Sequence, residues 1–195
     1  MARKPAIWFL NAARRALLAA APSLADPDDA WARRRLAPAE YALFERLPPE
    51  ERAHGVEVAK CLAKARPDDH ELLAAALLHD VGKLGTPRGA VVRALTHVLP
   101  PSDAAPEPRL AGLAGARQAR VHHADYGAEL LRRAGSSARV VELVARHHAA
   151  AGPGRHAGRA PARGVAPGAG RAAGPDPDGR LASDLAALEE CDART

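Results

Sequence analysis

Residues 71–85 read ELLAAALLHDVGKLG. An apolar helical run ends in a His79–Asp80 doublet, and Gly82 and Gly85 follow. Ionisable groups at the buried end of such a run are costly unless something compensates them. Upstream, Asp68 or Asp69 supplies an N-cap, and the two glycines are expected to end the helix.

Working outward, the pattern stays helical and almost nothing alternates as a strand does. Towards the N-terminus, helices are expected over about 6–20, after Pro5, over about 28–36, after Asp26–Pro27–Asp28, from Pro38 (PAEYALFERL), and over about 49–65 after Pro48–Pro49. Towards the C-terminus, RGAVVRALTHVL reads as a helix, PPSDAAPEP as a loop and RLAGLAGARQARV as a broken helix. HADYGAELLRRAG follows as a helix with Gly135 past its end, then SSARVVELVARHH capped by Ser136 or Ser137, and a last helix over about 179–193. The chain therefore reads as all-α.

The totals agree. In 195 residues, 47% are hydrophobic but only 3% aromatic, so the apolar mass is Ala, Leu and Val, which favours helix. The length suits one domain with an extension. Residues 1–47 read as an N-terminal helical extension packing on a core of 48–195, and residues 150–178 as a low-complexity loop inside that core. Between 150 and 175 nearly every position is Ala, Gly, Pro or Arg, which cannot build a core. Arg155, Arg159, Arg163 and Arg171 carry most of the net charge of +5. No aromatic is interleaved with them, so specific nucleic-acid binding is not expected.

The N-terminus resembles a signal peptide in its basic start, but AIWFL is too short for its apolar segment and Arg14 and Arg15 interrupt it. An amphipathic helix packing on the domain, or lying on a membrane surface, is expected instead, with no transmembrane segment. Cys61 and Cys191 form no CxxC pair. A disulfide is not expected, and a reducing, cytoplasmic location fits.

Side chains three, four and seven apart share a helix face. On that rule His54 joins Val58, Cys61 and Leu62; His79 joins Leu72, Ala75 and Ala76; Asp80 joins Leu73, Ala76 and Leu77. His123 joins Gly127 and Leu130, His147 joins Val140, Leu143 and Val144, and Asp192 extends the stripe of Leu181, Leu185 and Leu188. Apolar stripes face the core. Four imidazoles and two carboxylates thus point inward from five helices. One histidine on such a stripe is an ordinary hydrogen-bonded core residue. Six such groups, at several kcal/mol for each unpaired ion, would overwhelm a net stability of about 5–15 kcal/mol. A divalent metal is a common partner for them, and two metals bridged by one carboxylate would use all six.

These motifs resemble the HD superfamily of metal-dependent phosphohydrolases, particularly its HDIG-type members. They are RAHGVEVA with His54, AAALLHDVGK with the doublet, HHADYGAELL, VVELVARHH and LAALEECD, over about 50–193. The resemblance implies an HD-domain helical bundle holding one or two divalent ions (Fe, Mn, Zn, Ni, Co or Mg). It implies a first site of His54, His79, Asp80 and Asp192, with Asp80 bridging to a second completed by His123 and His147; His122 and His148 are the alternatives to those two. The implied activity is hydrolysis of a nucleotide or other small phosphoester by metal-activated water, the metals lowering its pKa to about 7. Lys83 resembles the family lysine that faces the phosphate, and also reads as a cation at a helix C-terminus. A catalytically weak, regulatory metal- or nucleotide-binding module is the alternative. HDVGK varies the HDIGK pattern, and the lack of a GYP motif sets cyclic-di-GMP hydrolysis aside. The arginine-rich loop reads as a lid, a phosphate-binding segment or a tolerated insertion.

Overall fold

A computed structural model describes residues 25–86, 92, 95–96, 98–100, 102–148 and 179–195. The described residues form seven α-helices: α1 (Asp29–Arg33), α2 (Pro38–Glu45), α3 (Pro49–Ala63), α4 (His70–Leu78), α5 (Gly112–Ala134), α6 (Ala138–Arg146) and α7 (Arg180–Asp192). No strand occurs among them, and none of these helices is long and apolar enough to cross a membrane. The all-α expectation holds. The helix expected over 6–20 and the loop at 150–175 lie outside the described residues. So does most of RGAVVRALTHVL, although 92, 95, 96 and 98 are helical.

Local chemistry sets the helix ends. Asp28 caps α1 by accepting from Trp31 N at 3.0 Å, Asp69 caps α4 at Leu72 N, and Ser137 caps α6 at Val140 N. Proline opens α2 and α3. Gly135 closes α5 in the left-handed region, at φ 79°.

Two expectations about helix ends are corrected. α4 stops at Leu78, before the glycines, with His79 as its C-cap, and Val81–Lys83 form a 3-10 turn. Gly82 serves packing instead: a Cβ there would lie 1.8 Å from the His123 carbonyl oxygen, so only glycine lets this turn meet α5. RLAGLAGARQARV is not broken within its helix: Arg109–Ala111 precede it, and from Gly112 it forms the first half of a continuous 23-residue α5. Tertiary bonds override its weak local propensity. Buried Gln118 donates to Ala105 O and Pro108 O and accepts from Leu110 N, and Arg117 donates to Pro100 O.

The core is built around α4, whose Leu72, Leu73, Leu77 and Leu78 are almost fully buried, at about 1.5–3 kcal/mol each. Val58 and Leu62 of α3, Leu131 of α5, Val140, Leu143 and Val144 of α6, and Leu185 and Leu188 of α7 belong to the same cluster. α3 comes close enough to α4 that a Cβ on Gly55 would sit 2.9 Å from Leu77 O. Ala32, Leu36, Phe44 and Leu47 join this cluster from the α1–α2 segment.

Cys61 and Cys191 form a disulfide between α3 and α7, with Cα atoms 5.8 Å apart. The expectation of two separate, reduced cysteines is corrected: helix packing juxtaposes residues 130 positions apart in sequence.

Ionic groups mark both ends of the core. The N-terminal ends of α4, α6 and α7 meet in a network. Arg139 pairs with Asp69 (2.6 and 2.7 Å), Glu71 (3.2 Å) and fully buried Asp184 (2.7 Å). Arg66 bonds Asp184 as well, and Arg180 lies 3.1 Å from Asp69. At their other ends, the same three helices deliver His79–Asp80, His147–His148 and Asp192.

Candidate metal centre

His79 and His147 are the C-caps of α4 and α6, and Asp192 is the last residue of α7. Three helix C-termini, each the negative end of its dipole, therefore bring their side chains to one place, a setting that favours positive charge. His54 joins from α3 and His123 from α5.

All six expected residues are brought together. His54 Nε2 lies 2.8 Å from Asp192 Oδ1, and His79 Nε2 lies 3.8 Å from that oxygen. Asp80 stands between two groups: its Oδ2 is 3.4 Å from His79 Nε2, and its Oδ1 is 3.5 Å from His123 Nε2. The ring centroids of His147 lie 5.4 Å from His79 and 5.2 Å from His123. Two sets of three donors result, His54–His79–Asp192 and His123–His147–His148, each with ligand atoms within 4.8 Å of one another.

His148 enters beside His147 rather than in place of it, with its Nε2 3.0 Å from His123 Nε2. The turn after α6 lets adjacent residues reach one pocket, which a straight-helix reading forbids. His122 goes elsewhere, donating from Nε2 to Ala104 O at 3.0 Å.

The backbone sets the histidine tautomers. A carbonyl only accepts, so Nδ1–H of His79, His123 and His147 donates to Ala76 O, Ala119 O and Val144 O at 2.8, 3.1 and 2.7 Å. The Nε2 atoms are thereby turned inward, as in the outer shell of histidine metal sites. His147 Nε2 is buried and has no hydrogen-bond partner. Such an orphan is rare and expensive, and a cation satisfies it.

The field in the pocket points the same way. Burial alone would push Asp80 and Asp192 up. Lys83 and His79 nevertheless hold Asp80 well below the usual carboxylate range, and the His54 hydrogen bond and His79 do the same for Asp192. Burial lowers His79, but Asp80 and Asp192 outweigh it and raise its pKa to about 9. His123, where burial wins, falls to about 4, and burial and its imidazole neighbours take His147 well below normal. The pocket thus combines two ionised carboxylates with the neutral imidazoles of His123 and His147 and with a protonated His79, whose proton a divalent cation would displace.

Lys83, on the 3-10 turn, reaches Asp80 Oδ2 at 2.5 Å and lies 3.7 Å from Glu51 Oε2, with its side chain about one-third exposed.

The HD domain family model matches residues 53–185, more than half of the chain. The chain belongs to the HD domain family. The match contains His54, the doublet, His123, His147 and His148, and stops before Asp192. No curated protein matches the chain, and no solved structure does.

Proposed function

We propose that this protein is a metal-dependent phosphohydrolase acting on a nucleotide or another small phosphoester. The observation that carries the reading is the position of Asp80, whose two oxygens each face a histidine of a different three-donor set. In this reading His54, His79 and Asp192 would hold one divalent ion and His123, His147 and His148 a second, with Asp80 lying between the two sets. Bound ions of this kind supply an acidified water and neutralise charge on phosphoryl oxygens.

The chain's own residues do the rest. The Nδ1 bonds of His79, His123 and His147 fix their rings, so that no reorientation is needed when ligand arrives. Lys83 neutralises Asp80 and, being partly exposed, extends its ammonium towards an incoming phosphate, with Glu51 behind it. The apolar layer beneath keeps water from the far side of the donors. Residues 1–47 serve as an extension on the 48–195 domain, and a cytoplasmic location belongs to the proposal. The disulfide bears on that location, because such bonds are rare in reducing compartments.

The test is phosphate release from a panel of nucleotides and simple phosphoesters with Mn or Fe supplied. Turnover of a panel member that is lost in Asp80→Ala supports the reading. A protein that takes up metal yet consumes none of the panel contradicts it.

A further inference from the structure

Asp192 reaches the His54–His79 pair from α7, a helix packed on the core by Leu185 and Leu188 and tied at both ends. At its N-terminal end, buried Asp184 is bonded by Arg66 and Arg139. At its C-terminal end, Cys191, the residue before Asp192, is bonded to Cys61. Cys61 lies seven residues after His54 on α3, so it shares a face with that histidine. One covalent bond therefore joins the helix that carries His54 to the helix that carries Asp192, one residue from the carboxylate. Asp192 needs such a fastening. It sits in the last turn, where helices fray, and its side chain is 31% exposed, so its contact with His54 is partly open to water. Bonds from Arg194 N and Thr195 N return to the Cys191 carbonyl and add no anchor to another helix. The His123–His147–His148 set takes no residue from α3 or α7, the two helices this bond joins.

We propose that the Cys61–Cys191 disulfide is a redox-responsive positioning device. When oxidised it holds Asp192 in the His54–His79–Asp192 set, and when reduced it releases the carboxylate while the other set persists. This rests on the reading that these sets bind metal. Cys191 is buried and Cys61 partly exposed, so the attack of a dithiol's thiolate falls on the Cys61 sulfur. That attack breaks the Cys61–Cys191 bond and expels the Cys191 thiolate, which takes a proton. The dithiol's second sulfur then displaces the Cys61 thiolate, which is protonated in turn. Two electrons and two protons pass to the cysteine pair, and the dithiol becomes a disulfide.

Thiol labelling read by mass spectrometry, on the full chain purified without reductant, tests the starting state: no labelled thiol before reduction and two after. Cobalt(II) titration followed by visible absorption then compares the oxidised chain, the chain reduced with a phosphine that is removed, and Cys61→Ser/Cys191→Ser. The reduced and doubly substituted forms should lose about tenfold or more in affinity at one site and nothing at the other, with helical circular dichroism retained. Asp192→Asn should show the same loss and no further change on reduction. The inference is overturned by two labelled thiols before reduction, by titrations indifferent to oxidation state, or by joint loss of both sites with the helical signal. Absence of cobalt binding in every form would instead remove the metal reading itself, and this inference with it.

Discussion

The two ends of the α4–α6–α7 layer gather buried charge from the same three helices and resolve it in opposite ways. At the N-terminal end, Asp69, Glu71 and Asp184 meet Arg66, Arg139 and Arg180, and every acid finds a guanidinium. At the C-terminal end, two carboxylates meet histidines whose Nε2 atoms face one another, and His147 Nε2 has no partner. The first cluster is closed by the chain itself, and the second has donors to spare. Burial of charge is thus no sign of function alone. What separates a structural cluster from a site is whether donors and acceptors balance.

The comparison can be broken most severely at the open end. Asp80→Ala removes the carboxylate between the two sets. Turnover is expected to fall on the order of a thousandfold, since several kcal/mol of charge stabilisation goes with the ions, and metal content by elemental analysis should fall with it. Folding should survive, as judged by circular dichroism.

Arg139→Ala makes the opposite cut. It takes one guanidinium from Asp184 and Asp69, leaving them Arg66 and Arg180, at a cost of about 1.5–3 kcal/mol in denaturant unfolding. Metal affinity should stay close to wild type. A variant that loses metal instead would show that the two ends are not separate.

Gly82→Ala probes the joint between the doublet turn and α5. Its Cβ has no room beside the His123 carbonyl, and overpacking of this kind costs about 1–3 kcal/mol, readable as a drop in Tm. Because His123 is itself a candidate donor, metal affinity should fall too, unlike in Arg139→Ala.

Acid sharpens the contrast. The Arg139 hydrogen bonds hold the Asp69 carboxyl well below its ordinary value, against the opposing effect of burial. A depressed carboxylate pKa contributes stability that is complete above the unfolded value of about 3.9 and is lost as pH falls through the folded one. Tm should therefore decline below about pH 4, and the part due to Asp69 should be smaller in Arg139→Ala, where the Leu72 N–H and Arg180 still hold the carboxylate. The smallest effect expected is that of His122→Ala on metal affinity, because that ring bonds the Ala104 carbonyl outside the pocket.

Much of this was legible in the sequence. Stripe positions alone placed His54, His79, His123, His147 and Asp192 inward, because helical periodicity fixes direction before any tertiary contact is known. The same logic held an unused signal. Cys61 shares the His54 stripe and Cys191 adjoins Asp192, so if His54 and Asp192 converge, the cysteines must nearly touch. His148 stands in the sequence only as an alternative to His147, which the family pattern favours; α6 ends at Arg146, before both, and both reach the pocket. The Arg139 network escaped notice, since its partners lie 45 to 70 residues away and only packing brings them together. Gly82 looked like a helix stop, whereas its reason is a backbone on another helix.

The central claim is that the donors around Asp80 converge on cations. Anomalous scattering from crystals grown with manganese tests it most directly. The account predicts ions coordinated on both sides of Asp80, about 3.5–4 Å apart. It is contradicted if peaks are absent there while manganese occupies other positions, or if the six side chains pair among themselves with no ion between them.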